Sequence, residues 1–194
     1  MLKSWVVVPT CLPLVRRRCH ACASERFRPS RRFRVNAHHK LLDAWLLVLC
    51  TGCGETEKLT VFERVNVRCV RPELLERLHD NDPRLAAELL QDPVVRRRNR
   101  IALDWAGAWR LDTGGPDDPD SLDHEVLDVS VRFAARIPVR PARLIAEGCA
   151  LSRSEVERLV KEGNLVSAVR QGNLVSAVRL SGTLSADFTF TLKR

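Results

Sequence analysis

The chain has 194 residues, 45% of them hydrophobic, with a formal net charge of +8 and a pI near 9.6. Such a length can bury a real core in one large domain or two small ones. No run of about 18 apolar residues occurs, which excludes a membrane-spanning helix, and the apolar N-terminal run is broken by Pro9 and Pro13 with no small-residue cleavage site after it, so a cytoplasmic protein is expected.

The charge is unevenly spread. Residues 1–40 hold ten Lys and Arg against one acid, Glu25. Arg16, Arg17 and Arg18 form its densest cluster. A polyanion is the natural partner for such a stretch, with nucleic acid the usual one, although the excess of Arg over Lys and the absence of Tyr are also what GC-rich coding produces.

From Trp5 to about Arg68 the segments SWVVV, RFRV, WLLVLC and KLTVFERVNV are rich in Val, Leu and aromatics and bounded by turn residues, which predicts short strands. KLLDAWLLVLC also fits a helical face through Leu42, Trp45, Leu46 and Leu49. A strand is preferred, because it feeds directly into a cysteine turn. At Arg71 the pattern becomes helical: Pro72, Asp82-Pro83 and Asp92-Pro93 mark three successive helix starts, giving a helical insert over about 71–103. LDWAGAWRLDT then alternates and is expected to return to the N-terminal sheet. Residues 112–125, DTGGPDDPDSLDHE, combine Gly, Pro and acids and read as an acidic linker.

Beyond the linker, VLDVSVRF alternates as a strand, RPARLIAEG and SRSEVERLVKEG read as short helices, and LSADFTFTL ends the chain as a half-buried strand. Ser152 and Glu155 have the spacing of a capping box, and Gly163 suits a helix C-terminus. Between them lies a tandem duplication: EGNLVSAVR at 162–170 is followed by QGNLVSAVR at 171–179. Two identical strands offer a choice of register, so one copy is expected in the native strand and the other in an extended loop or hairpin. The resulting expectation is an α+β protein: a β domain over 1–111 with its helical insert, the linker 112–125, and a small α+β module over 126–194.

Seven cysteines, an odd number, include two CxxC pairs, Cys19/Cys22 and Cys50/Cys53, separated by 27 residues. Paired CxxC turns in a reducing compartment indicate a metal site rather than a disulfide framework. Each turn lets two thiolates reach one ion, and two turns complete a tetrahedral shell with Zn–S bonds of about 2.3 Å. Four sulfur ligands leave no open position, so zinc here is expected to be structural and the protein to lean away from enzymatic function. A Cys/His site recruiting His20, His38 or His39, with a water ligand, is the alternative that would allow catalysis. Cys11, Cys69 and Cys149 lack paired spacing. No GxSxG elbow, phosphate loop, HExxH or dinucleotide fingerprint occurs.

The order WVVVP, RCHAC, FRVNAHHKLLDAWL, CTGC and ALDWAGAWRLDT resembles a bacterial family known as domain of unknown function number 1062, over essentially the whole chain. That resemblance implies no activity. The N-terminal part is zinc-ribbon-like. The stretch RPARLIAEGCALSRSEVERLVKEGNLVSAV is similar to the ribosomal-protein-S-four-type RNA-binding domain, which implies RNA contact through Arg140, Arg153, Arg158 and Lys161. The same residues also suit a capped helical hairpin with solvated charges. The expectation is thus a zinc-binding protein that binds RNA or the ribosome. A protein-interaction adaptor is the second reading and a zinc-dependent enzyme the third.

Overall fold

Alternation along the strands decides which surfaces meet. A computed structural model describes residues 2–114, 126–171, 174–177 and 182–193. The fold is α+β, largely antiparallel, and the chain divides into two compact units: Leu12–Ala106, and a second made of Met1–Cys11 with Gly107–Arg194. The linker expected at 112–125 falls inside the second unit, and its residues 115–125 lie outside those described.

The first strand, β1 (Leu2–Pro9), belongs to the second unit. The Leu12–Ala106 unit follows with β2 (Leu14–Arg16), β3 (Arg26–His38), β4 (Leu41–Cys50) and β5 (Thr56–Asn66). After a 3-10 turn at Val67–Cys69 come α1 (Pro72–His79), α2 (Pro83–Gln91), α3 (Pro93–Asn99) and β6 (Ala102–Asp104). The strands form a sheet in the order β5-β4-β3-β2-β6.

Strand β4 lies inside it, between β5 and β3. Leu42, Ala44, Leu46, Val48 and Cys50 are buried while every intervening residue is half-exposed, the period-two pattern of a strand with one covered face. The helices supply the cover: Leu78, Leu85, Ala86 and Leu90 join Ala44, Leu46, Val48, Leu59 and Val61 in one core. Each helix starts with Pro at a first-turn position, where its missing N–H costs nothing. The Asp82 carboxylate accepts from the Arg84 amide, and that of Asp92 from Val94 and Val95. Arg77 in α1 clamps α2, donating to Asp82 at 2.6 Å and to Glu88 at 2.8 and 3.0 Å.

Two asparagines fasten helical segments to strand backbone. Asn99 accepts from the Thr60 amide at 2.7 Å and donates to the Thr60 carbonyl at 2.8 Å, and Asn81 accepts from the Phe33 amide at 2.7 Å. Phe33 follows a register shift in β3 between Pro29 and Phe33. Proline cannot donate to a ladder, and a bulge beside it lets one long strand replace the shorter RFRV segment that the turn residues suggested.

The second unit continues with β7 (Trp109–Asp112), β8 (Val126–Phe133), α4 (Pro141–Gly148), α5 (Arg153–Lys161), β9 (Leu165–Gln171), β10 (Leu174–Ala177) and β11 (Phe188–Lys193). Its sheet runs β10-β9-β11-β8-β1-β7. Strand β1 pairs in parallel with β8 and antiparallel with β7. LDWAGAWRLDT is therefore divided: β6 pairs with β2 in the cysteine-bearing sheet, and β7 with β1 in the other.

Trp5 anchors this second core at 2% exposure, its ring edge-on to Phe190 with centroids 5.3 Å apart. Gly148, at the end of α4, lies against the same indole so closely that a Cβ there would stand 2.4–2.8 Å from three ring carbons. The capping box of α5 is complete: Ser152 accepts from the Glu155 amide, and Glu155 from the Ser152 amide.

Both repeat copies contribute strand. The first, in β9, pairs with β11, and the second, in β10, pairs antiparallel with the first in a Leu174↔Gln171 register. Residues 172–173 and 178–181 of that region lie outside those described. The terminal strand starts at Phe188, later than the alternation from Leu184 suggests; Leu184 makes an isolated bridge with Val139 instead.

Candidate metal centre

The two CxxC pairs lie in alternate strand connections, β2–β3 and β4–β5. Cys19 and Cys22 occupy the turn between β2 and β3, and Cys50 closes β4 with Cys53 in the turn to β5. The ladder pairing of Phe27 with Cys50 brings the two turns to one end of the sheet. Each turn is closed by its own backbone: the Cys19 amide donates to Ser24 at 2.9 Å, the Cys50 amide to Glu55 at 2.8 Å, and the Gly54 amide back to Cys50 at 3.0 Å. Gly54 has φ +78°, a conformation favoured by glycine.

A clasp locks the turns together. The Thr51 amide donates to the Arg26 carbonyl at 2.9 Å, the Thr51 hydroxyl to the same carbonyl at 3.0 Å, and the Ser24 and Thr51 hydroxyls lie 3.2 Å apart. Gly52 is closely hemmed in: a Cβ there would stand 3.1 Å from Ser24 Cβ and 3.2 Å from Cys22 Sγ, so the neighbouring turn would have to give by a few tenths of an ångström. The spacing of cysteines alone marks Gly54 but gives no sign of Gly52, Ser24 or Thr51, whose importance comes from the neighbouring turn.

The sulfurs of Cys19, Cys22, Cys50 and Cys53 all lie within 4.8 Å of one another. Cys19 and Cys53 are 3.7 Å apart and Cys22 and Cys50 3.5 Å. A tetrahedron with metal–sulfur bonds of about 2.3 Å has edges of about 3.8 Å, so this donor set fits a single ion. Cys19 and Cys50 are buried, Cys22 is intermediate and Cys53 exposed, which puts the site at the margin of the core.

Electrostatics favour a thiolate here. The Cys53 amide, opposed by burial and aided by the Gly52 amide, draws the Cys50 thiol down to about 6. The Glu55 amide pulls Cys53 down, but the Cys22, Cys50 and Cys19 sulfurs together with burial outweigh it and push the thiol up to about 12. Cys22 likewise is pulled down by the Ser24 amide and ends raised, through Cys50, Cys19 and burial. One thiolate thus forms readily while its neighbours resist a second negative charge, and a cation is the group that relieves that repulsion.

The histidines are placed elsewhere. His20 is exposed at its side chain, with Nε2 4.0 Å from the Glu57 carboxylate, which Arg17 also approaches at 3.2 Å. His38 and His39 stack edge to face at the opposite end of the β3–β4 hairpin, where His38 pairs with Leu41. Cys11 and Cys69 are exposed and Cys149 is buried, and none joins the cluster.

Of the expected nucleic-acid residues, Arg16 and Arg18 are exposed beside the first cysteine turn, whereas Arg17 is tied to Glu57. Arg140, Arg153, Arg158 and Lys161 are all exposed. Arg153 pairs with Glu157 at 3.0 Å and Arg158 with Glu162 at 3.5 Å, each one helical turn on, which offsets positive charge along α5. Among the described residues no helix is long and apolar enough to cross a membrane.

The family model described as "Protein of unknown function (DUF1062)" matches residues 35–171, more than half of the chain. The matched span includes Cys50 and Cys53 and begins after Cys19 and Cys22. No curated protein and no solved structure matches the chain.

Proposed function

The chain belongs to the DUF1062 family of proteins of unknown function, and on that footing we propose that it is a non-enzymatic, cytoplasmic zinc protein that binds RNA or associates with the ribosome. The observation that carries the zinc half is the cluster of four cysteine sulfurs. Soft, tetrahedral all-thiolate sites suit zinc, and four protein ligands leave no position for a substrate or an activated water. The ion's work is to fasten two strand connections into one end of a sheet and so stabilise the fold.

The RNA half is supported by the net charge of +8 and by its concentration in residues 1–40. Arg16, Arg17 and Arg18 beside the metal, with Arg140, Arg153, Arg158 and Lys161 in the C-terminal module, are the cations assigned to phosphate. A protein-interaction adaptor built on the same metal is the second reading, favoured by the ion pairing of Arg153 and Arg158, which brings α5 closer to neutrality.

Purification without chelator, followed by metal analysis and sequencing of co-purifying nucleic acid, tests both halves. One zinc per chain with bound RNA that is released steeply by salt agrees with the proposal. Zinc with no RNA at low salt transfers it to the adaptor, and a light-atom ligand on the metal by X-ray absorption overturns the closed site.

A further inference from the structure

The sheet of the Leu12–Ala106 unit has a second face. On β4, Trp45, Leu47 and Leu49 alternate with the residues that meet the helices and are half-exposed. The ladders set Arg34 of β3 directly opposite Trp45, Arg28 opposite Leu49, and Lys58 of β5 opposite Leu47. Residues opposite one another in a ladder share a face, so one surface carries an indole and two leucines between cations on both flanking strands.

These cations are exposed, and among the described residues none has a carboxylate within ion-pair distance, unlike Arg26, Arg153 and Arg158. Lys58 places its ammonium 5.0 Å from the centroid of the Trp45 ring, and the Arg34 guanidinium donates to Asn36 at 3.4 Å. The one acid on this part of β4, Asp43, accepts from the Arg64 amide at 2.6 Å.

We propose that this face binds single-stranded RNA, with a base stacked on Trp45 and phosphates on Arg28, Arg34 and Lys58; the inference rests on the RNA reading above and gives it a surface. Unpaired cations complement a polyanion, while the apolar centre offers what phosphate contact alone does not need, a platform for the flat face of an unpaired base. A duplex keeps its base faces stacked inside and cannot use it. Lys58 covers the indole until a phosphate draws its ammonium away, so that the lysine–indole contact is exchanged for a base–indole one.

The test is anisotropy of a short fluorescein-labelled oligouridine with the full-length, metal-loaded chain over a series of KCl concentrations. Trp45→Ala should weaken binding roughly 5- to 150-fold, the range of one lost base stack, and Trp45→Phe should restore most of it. The Arg34→Gln/Lys58→Gln pair, on exposed positions that leave the core intact, should lower the salt slope by about 0.7 per cation removed. An Arg84→Gln/Arg97→Gln variant, on exposed positions of α2 and α3, should bind nearly as well as the parent. If the parent binds and every β3–β5 variant matches it, this face is not the platform and the RNA reading survives elsewhere. No binding by the parent at low salt overturns both. Poly-glutamate binding as tight as oligouridine, with the same loss in Trp45→Ala, overturns the RNA platform in favour of an acidic protein partner.

Discussion

Gly148→Ala makes a demanding test of the second core. In an ordinary helix this substitution stabilises, because alanine exceeds glycine by up to about 1 kcal/mol in helix propensity. Here the new methyl would stand 2.4, 2.5 and 2.8 Å from three carbons of the Trp5 indole, a ring that is rigid, 2% exposed and in edge contact with Phe190. Either α4 must lift or the indole must tilt and disturb Phe190, and overpacking of this kind costs about 1–3 kcal/mol. The net loss should be about 1–2 kcal/mol, which at a urea m-value of about 2 kcal/mol/M lowers the midpoint by roughly 0.5–1 M. Urea titration followed by far-UV circular dichroism measures it. In a Trp5→Leu background the same methyl should cost less, with a coupling of about 1 kcal/mol between the two sites. An unchanged or raised midpoint for Gly148→Ala in the parent would refute the packing described for α4.

Four other outcomes are expected. Cys50→Ser, or removal of metal by a strong chelator, should lower the melting temperature and bring zinc per chain to near zero, whereas Cys11→Ser should change neither; equal effects of the two would disprove the four-sulfur site. Asn99→Ala strips the Thr60 amide and carbonyl of their partners and should cost about 1–2 kcal/mol, read as a lowered urea midpoint. The Arg77 guanidinium beside Asp82 holds that carboxyl below its ordinary value of 3.8; its stabilisation is complete above that value and is lost as pH falls below it. Arg77→Met should therefore flatten the stability profile below about pH 4, as measured by thermal melts across pH. Deletion of residues 171–179 removes edge strand β10 but leaves β9 on β11, so soluble, cooperatively folding protein is expected, and loss of soluble expression would contradict it.

Local chemistry made much of this architecture legible. Pro72, Pro83 and Pro93 each open a helix, and Ser152 with Glu155 forms its capping box, because these signals act within one turn of chain. The CxxC spacing identified the four sulfurs for the same reason. Long-range pairing was not legible: SWVVV suits any sheet, and nothing in it announces a parallel partner at Val126–Phe133 rather than the cysteine-bearing strands. The second face of β4 was hidden for a different reason. Trp45 and Leu49 fit a helical stripe as well as a strand, and the arginines of β3 read as one basic run until the ladder sets Arg28 and Arg34 beside Leu49 and Trp45.

The parallel pairing of β1 with β8 also sets an order of events during synthesis. Leu2 meets Asp128, a partner made 126 residues later, and at about 5–20 residues per second that interval is roughly 6–25 s. Until β7 and then β8 are made, the apolar WVVV segment has no strand partner, while the Leu12–Ala106 unit emerges with all its strands and its four clustered cysteines. The nascent chain therefore carries a unit complete in its strands and clustered cysteines while β1 is still unpaired, and a chain stalled in that interval would leave the apolar β1 segment exposed.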